Sequence, residues 1–139
     1  MKAVIQRVKR ASVTVNGEST RSIGKGLMIL LGVQDTDDLN ICEKLAKKCA
    51  ELRIFEDEKG KLNLSAQELG LSALVVSNFT LYADTKKGRR PSFVRAAKPP
   101  LADGAYERFV EELRKTGLHD VQTGEFGADM QIDLVNDGP

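Results

Sequence analysis

The chain has 139 residues, with 21 lysines and arginines against 20 aspartates and glutamates. That length suits a single domain over 1–139, able to bury most of its apolar surface without disulfides or metals. A net charge of +1 excludes a generally basic nucleic-acid coat but permits a local basic patch.

The N-terminus opens directly as an alternating strand rather than a charged and apolar leader, and no apolar run approaches the ~18 residues needed to span a bilayer. A soluble, cytoplasmic protein is expected. Ala3, Ile5 and Arg7 alternate with Val4, Gln6 and Val8. Ser12-Val13-Thr14-Val15, the turn signals Asn16-Gly17 and Gly24-Lys25-Gly26, and the apolar run Leu27 to Val33 complete a strand-rich region over 2–33. Asn16-Gly17 is a hairpin signal because both residues tolerate positive φ. From Asp37 the period becomes helical: Cys42, Leu45, Ala46, Cys49 and Leu52 form one stripe, with Thr36 or Asp37 available as N-cap. Cys42 and Cys49 lie too far apart along that helix for a disulfide and read as reduced core residues. Ile54-Phe55 opens a short strand, closed by the Glu58-Lys59-Gly60 turn, and Ser72 to Thr80 reads as a central strand. The segment 83–100 is loop-like. A second helix over 101–116 turns Tyr106, Phe109, Val110 and Leu113 inward and ends at Gly117. A last strand runs from about Ala128 to Val135, with Met130, Ile132 and Leu134 on one face. The pattern predicts a mixed sheet with helices packed on one side.

Chemistry is expected at the end of the central strand. In Ser77-Asn78-Phe79-Thr80, an extended backbone would project Asn78 and Thr80 to one face and Ser77 and Phe79 to the other, so one ligand could meet all four only if the strand bends. A free main-chain N–H beside Phe79 would serve as an oxyanion donor; the alternative is a strand meeting a turn, its hydroxyls bonded to nearby backbone. No base stands near Thr80 in sequence, and the only histidine, His119, falls in a loop after the second helix. One histidine and two buried cysteines give no zinc-ligand spacing. An enzyme built this way works by positioning and electrostatics. Lys86, Lys87, Arg89 and Arg90 flank Gly88 in a loop that is either a solvated turn or a phosphate contact. Arg7 shares a face with apolar residues and needs a carbonyl or carboxylate acceptor. Gly138-Pro139 is by default a turn dipeptide; X-Pro bonds are cis in only ~5% of cases, so spacing does not establish a cis bond here.

Taken together, these residues resemble the D-aminoacyl-tRNA deacylases. The resemblance covers the whole chain: Ala3-Val4-Ile5-Gln6-Arg7-Val8, Leu52-Arg53-Ile54-Phe55, Val75-Val76-Ser77 with Phe79-Thr80-Leu81, Gly88-Arg89-Arg90-Pro91-Ser92-Phe93, Gln122-Thr123-Gly124 with Phe126, and Asn136-Asp137-Gly138-Pro139. It implies a three-layer α/β/β fold and a homodimer. Each site would combine Ser77, Asn78, Phe79 and Thr80 of one subunit with a cis Gly138-Pro139 of its partner. It further implies hydrolysis of the ester on the 3'-terminal adenosine of aminoacyl-tRNA, with no cofactor and no metal. The neighbouring ribose hydroxyl would orient water while the protein supplies placement. Gly138 and Pro139 carbonyls would hold the α-amino group and reject L side chains while accepting glycine and D-residues. Arg7 would brace that element, Phe126 and Met130 would line the adenosine end, and Lys86, Lys87, Arg89 and Arg90 would meet the tRNA backbone.

The chain departs from the family pattern at two places. The motif has Gln where this chain has Asn78, shorter by one C–C bond, roughly 1.5 Å. Family members also continue beyond Pro139 with Val-Thr and a short closing strand, which leads to the expectation that this strand is missing here. These departures motivate an alternative, a catalytically weakened tRNA-end binding protein. A hydrolase of free D-amino acids or peptides is a third reading, and it lacks a base or a metal.

Overall fold

Residues 2–15 form one long strand, β1 (Lys2–Val15), that serves two different cores in the computed structural model, which describes residues 1–139. Ala3 and Ile5 pack toward the helices, whereas Val8, Ala11 and Val13 belong to a second cluster on the opposite face. The parity change between Val8 and Ala11 requires one inserted residue. It falls at Lys9, where pairing with the last strand shifts register between Val8 and Arg10, as at a β-bulge.

Beyond the bulge, β1 pairs antiparallel with β2 (Ser19–Ile23) through a turn in which Asn16 and Gly17 sit at φ 51° and 69°. Before the bulge it pairs antiparallel with β3 (Gly26–Gly32). β6 (Ser72–Ser77) runs parallel to β3, and β7 (Val121–Thr123) runs parallel to β6. β8 (Met130–Asn136) lies antiparallel along the other edge of β1. The fold is therefore α/β, in three layers. Helices α1 (Ile41–Glu51) and α2 (Leu101–Arg114) cover one face of the mixed sheet, joining Cys42, Ala46, Cys49, Phe109 and Leu113 to Leu27, Ile29 and Val75. On the opposite face Ala11, Val13 and Ile23 fold over Met28, Leu74 and Val76. A small hairpin, β4 (Phe55–Glu56) with β5 (Leu62–Leu64), flanks the helical layer. No helix is long and apolar enough to cross a membrane.

Several local expectations change. Neither Thr36 nor Asp37 caps α1: Asn40 occupies the cap position without a side-chain bond. Asp37 is engaged by the N-terminal amine of Met1 at 2.6 Å and by the Gln34 N–H at 2.8 Å. Leu52 lies just past the helix, half-buried, rather than on its stripe. The central strand stops at Ser77 instead of Thr80, because the chain turns into a 3-10 segment, Phe79–Tyr82. α2 ends at Arg114, and β8 begins at Met130 and ends at Asn136. β5 and β7, three residues each, are too short for periodicity to reveal. Cys42 and Cys49 are buried and free, and burial pushes the Cys49 thiol up to about 11.

Among the glycines the tightest position is Gly26, where a β-carbon would stand 1.9 Å from the Ser72 carbonyl oxygen. Any side chain there must pry β3 from β6. Gly26→Ala is expected to destabilise the fold by about 2–3 kcal/mol, the upper part of the overpacking range. The measurement is the urea midpoint, which should fall at constant slope; an unaltered midpoint would contradict the approach.

Candidate active site

The end of β6 passes from fully buried Val75 and Val76 to half-buried Ser77. Asn78 keeps an extended backbone and donates its N–H to the Leu31 carbonyl at 2.8 Å, so it is still held by β3. Its side-chain Oδ1 then accepts the Thr80 N–H at 3.2 Å and also the Thr80 hydroxyl. A short polar side chain accepting the N–H two residues on starts a turn, which is why the strand ends here. Gly32 leaves room for the turn, since a β-carbon on it would meet Leu81 Cβ at 3.0 Å and Asn78 O at 3.2 Å.

Bending removes the obstacle of opposite strand faces. Asn78 and Thr80 are bonded to each other, and Phe79 turns outward, 54% exposed, edge-on to Phe93 at 5.1 Å between ring centroids. The Phe79 N–H meets no acceptor in the chain. Thr80 has only an amide oxygen beside its hydroxyl, and an amide is no general base. His119 is exposed after α2, and its N–H bonds the Leu71 carbonyl at 2.9 Å. That contact lies beyond the far end of β6 from Ser77, ~20 Å away along the strand, so His119 joins no triad. No group of three or more His, Cys, Asp or Glu side chains converges anywhere in the chain.

The second candidate element is organised by Arg7. Its Nε–H donates to Asp137 O at 2.7 Å, Nη1 to Ile54 O at 2.7 Å and Nη2 to Gly138 O at 2.9 Å. The Asp137 carboxylate stands 3.8 Å from Nε, and the Arg7 side chain is 10% exposed. In return, the Asp137 N–H donates to the Arg7 carbonyl at 2.8 Å. The Gly138–Pro139 peptide is cis, as is Pro99–Pro100. Gly138 and Pro139 themselves are exposed.

The two candidate elements lie apart in the structure. Arg7 stands opposite Leu27 and Ser77 opposite Leu31, both on β3, which separates them by ~13 Å along the strand. Met130 lies nearer Ser77: a β-carbon on Gly124 would stand 2.4 Å from its sulfur and 3.5 Å from Val76 Cγ2. Phe126 lies at the edge of this region, 36% exposed, its ring centroid 6.2 Å from that of Tyr106.

Lys86, Lys87, Arg89 and Arg90 are all exposed at the tip of a loop pinned by reciprocal bonds between Asp84 and Ser92, at 2.8 and 2.9 Å. None of the four enters an ion pair in the chain. The contact of Phe93 with Phe79 ties this loop to the end of β6.

Arg21 and Tyr106 play supporting parts that the sequence analysis missed. Arg21 Nη1 donates to the carbonyls of Thr123 and Gly124, each at 2.9 Å, and the Tyr106 hydroxyl donates to Val75 O at 2.9 Å. Arg21 thereby ties the Thr123-Gly124 segment to β2, and Tyr106 ties α2 to β6. The available signal was the parity of Arg21 with buried Ile23, since a cation on an inward face requires acceptors.

Comparison with known proteins gives this geometry its context. Residues 4–139 match the family model described as D-Tyr-tRNA(Tyr) deacylase. A D-aminoacyl-tRNA deacylase of Symbiobacterium thermophilum is 55% identical over the whole chain and 91% of its own length. One of Chloroflexus aurantiacus is 58% identical over the whole chain and 86% of its own length. A solved structure titled c-Myc DNA Unwinding Element Binding Protein superposes with a TM-score of 0.92 at 45% identity, covering 100% of this chain and 94% of that one. A second, titled as a probable eukaryotic D-amino acid tRNA deacylase, superposes with a TM-score of 0.86 at 16% identity, covering 99% of this chain and 94% of that one, and so shares the fold. Fold and matches define an enzyme of the hydrolase class. The chain belongs to the D-Tyr-tRNA(Tyr) deacylase family.

Arg7→Ala is expected to release the Asp137-Gly138 segment, leaving three carbonyls without their charged donor at a cost of about 3 kcal/mol. The urea midpoint and hydrogen exchange at the Asp137 amide both report on it. Arg7→Lys should recover only part of the loss, because an ammonium cannot span the fork; full recovery would mean that charge alone anchors the segment.

Proposed function

We propose that this chain hydrolyses the ester joining a D-amino acid, or glycine, to the 3'-terminal adenosine of tRNA, and that it does so as a homodimer. The observation carrying this reading is the open end of β6, where an unengaged Phe79 N–H stands beside a turn without any base. Such a site suits a substrate that assists its own hydrolysis. Water adds to the acyl carbonyl and the carbon–oxygen bond to the ribose breaks. The neighbouring ribose hydroxyl orients the water and relays its proton to the departing oxygen, while the Phe79 N–H faces the developing oxyanion. The products are free tRNA and the free amino acid, a proofreading step.

The distance between Arg7-held Gly138-Pro139 and Ser77–Thr80 supports the dimer. A two-fold arrangement of two chains delivers the exposed end of each to the strand end of the other. The partner's Gly138 and Pro139 carbonyls then receive the α-amino group. Arg7 occupies one acceptor position of the Gly138 carbonyl, which leaves the second for substrate. With the amine and the ester carbonyl both fixed, an L side chain strikes main chain, whereas hydrogen or a D side chain does not. Met130 and Phe126 flank the adenosine end, and Lys86, Lys87, Arg89 and Arg90 meet the RNA backbone.

One observation favours a second reading. The Asn78 amide is turned back onto Thr80 and, being one bond shorter than Gln, reaches less far toward a substrate carbonyl. That is the geometry of a tRNA-end binding protein with weak turnover. Purified protein incubated with D-Tyr-tRNA and L-Tyr-tRNA should discharge the D ester selectively, and equal persistence of both would end the hydrolase reading. Asn78→Gln should leave the D-selective rate within about threefold if main chain supplies the oxyanion contact, well short of the ~10²-fold an essential donor contributes. A large gain on that substitution would instead favour the binding reading.

A further inference from the structure

The 3-10 turn that begins at the candidate site ends at a separate cavity of about 180 Å³, of whose lining only Lys86 has a role in the reading above. Lys2, Tyr82, Asp84, Thr85, Lys86 and Arg95 surround it. Its cations come from three distant segments: the start of β1, the loop after the turn, and the chain after Phe93. Lys2 Nζ is fixed by the Leu81 carbonyl at 3.2 Å and by the Tyr82 ring, 4.6 Å from its centroid, which leaves ammonium protons to offer. Arg95 uses Nη2 on Gln34 Oε1 at 2.9 Å and keeps the remainder of its fork free. The only carboxylate, on Asp84, accepts the Lys86 main-chain N–H at 2.9 Å. None of Lys2, Lys86 and Arg95 forms an ion pair. Three cations facing one engaged carboxylate leave an excess of positive charge in a concave, open space.

We infer that this cavity seats a backbone phosphate of the substrate RNA, the phosphodiester just 5' of the terminal nucleoside. The inference rests on the proposed deacylase reading and extends it to residues outside the reacting centre. Phe79 and Tyr82 are ends of one 3-10 turn, ~6 Å apart along its axis. A nucleoside ester at Phe79 therefore places its own 5' phosphate within reach of Lys2 and Arg95. Arg95 supplies a fork for two phosphate oxygens and Lys2 a point charge, with the Thr85 hydroxyl beside them. The site thus measures the presence of a polynucleotide rather than of a free amino-acid ester.

The test compares D-Tyr-tRNA with 3'-O-D-tyrosyl adenosine, which carries no phosphate, in wild type, Lys2→Ala, Arg95→Ala and the double variant. The ratio of kcat/KM for the tRNA ester to that for the nucleoside ester should fall about tenfold in the double variant, and the salt dependence of tRNA affinity should flatten by ~0.7 per lost contact. Parallel losses on both substrates, or no loss on either, would overturn the inference. Inorganic phosphate is the third probe. If it binds the wild type and not the variants while the ratio and salt slope stay constant, the cavity takes a small anion only and the RNA assignment fails. Should the wild type cleave neither ester, the deacylase reading falls by itself. Binding of uncharged tRNA then decides this site: weaker affinity and a flatter salt slope in the double variant uphold it, and unaltered binding removes it.

Discussion

The change of facing at Lys9 is the constraint on which the rest of the structure depends. A straight fourteen-residue strand would present one set of side chains to one core. With one extra residue inserted opposite β8, Ala3 and Ile5 serve the helical layer while Ala11 and Val13 serve the outer layer. The same strand thereby ties the layers together covalently and supplies both edges, to β2 and β3 on one side and to β8 on the other. Because β8 runs back along β1 toward the bulge, the chain leaves it beside Arg7. The C-terminal residues reach their anchor through strand pairing rather than by a free excursion.

The two elements proposed to form the site are rigid for different reasons. The strand end is held by local bonding: Asn78 is paired to β3 through its backbone and closes the following turn through its side chain. The Gly138 element is held across the molecule by a guanidinium whose three bonds all go to carbonyl oxygens. A buried cation needs acceptors, and main-chain carbonyls fix direction as well as charge. Neither element relies on an ion pair at hydrogen-bond distance, since the carboxylate of Asp137 stands 3.8 Å from Arg7.

Periodic segments were readable from the residues because burial imposes a repeat. Leu27 to Val33, the stripe through Cys42, Ala46 and Cys49, and the inward set Tyr106, Phe109, Val110 and Leu113 all appear where alternation or helical spacing places them. The Asn16-Gly17 turn was readable for a different reason, its two left-handed residues. What escaped was set by non-local competition. Asp37 has the chemistry of a helix cap, but the Met1 amine and the Gln34 N–H claim its two oxygens. The sequence through Thr80 has the composition of strand, but Asn78 bonds forward instead of sideways. β5 and β7 contribute too few residues for any period to show. At the site, the need of Arg7 for acceptors was legible, whereas the identity of those acceptors depends on strand order, which no local pattern encodes.

The seat of Met130 against Gly124 couples two positions that are distant in the chain. Space for the thioether exists only because position 124 lacks a side chain, so the floor of that region is shared property of β8 and the segment after β7. A lineage that enlarges residue 124 must shorten residue 130, and the reverse holds equally. Reshaping this floor therefore calls for concerted replacement of both residues, and substitutions sampled one at a time would miss the productive combination.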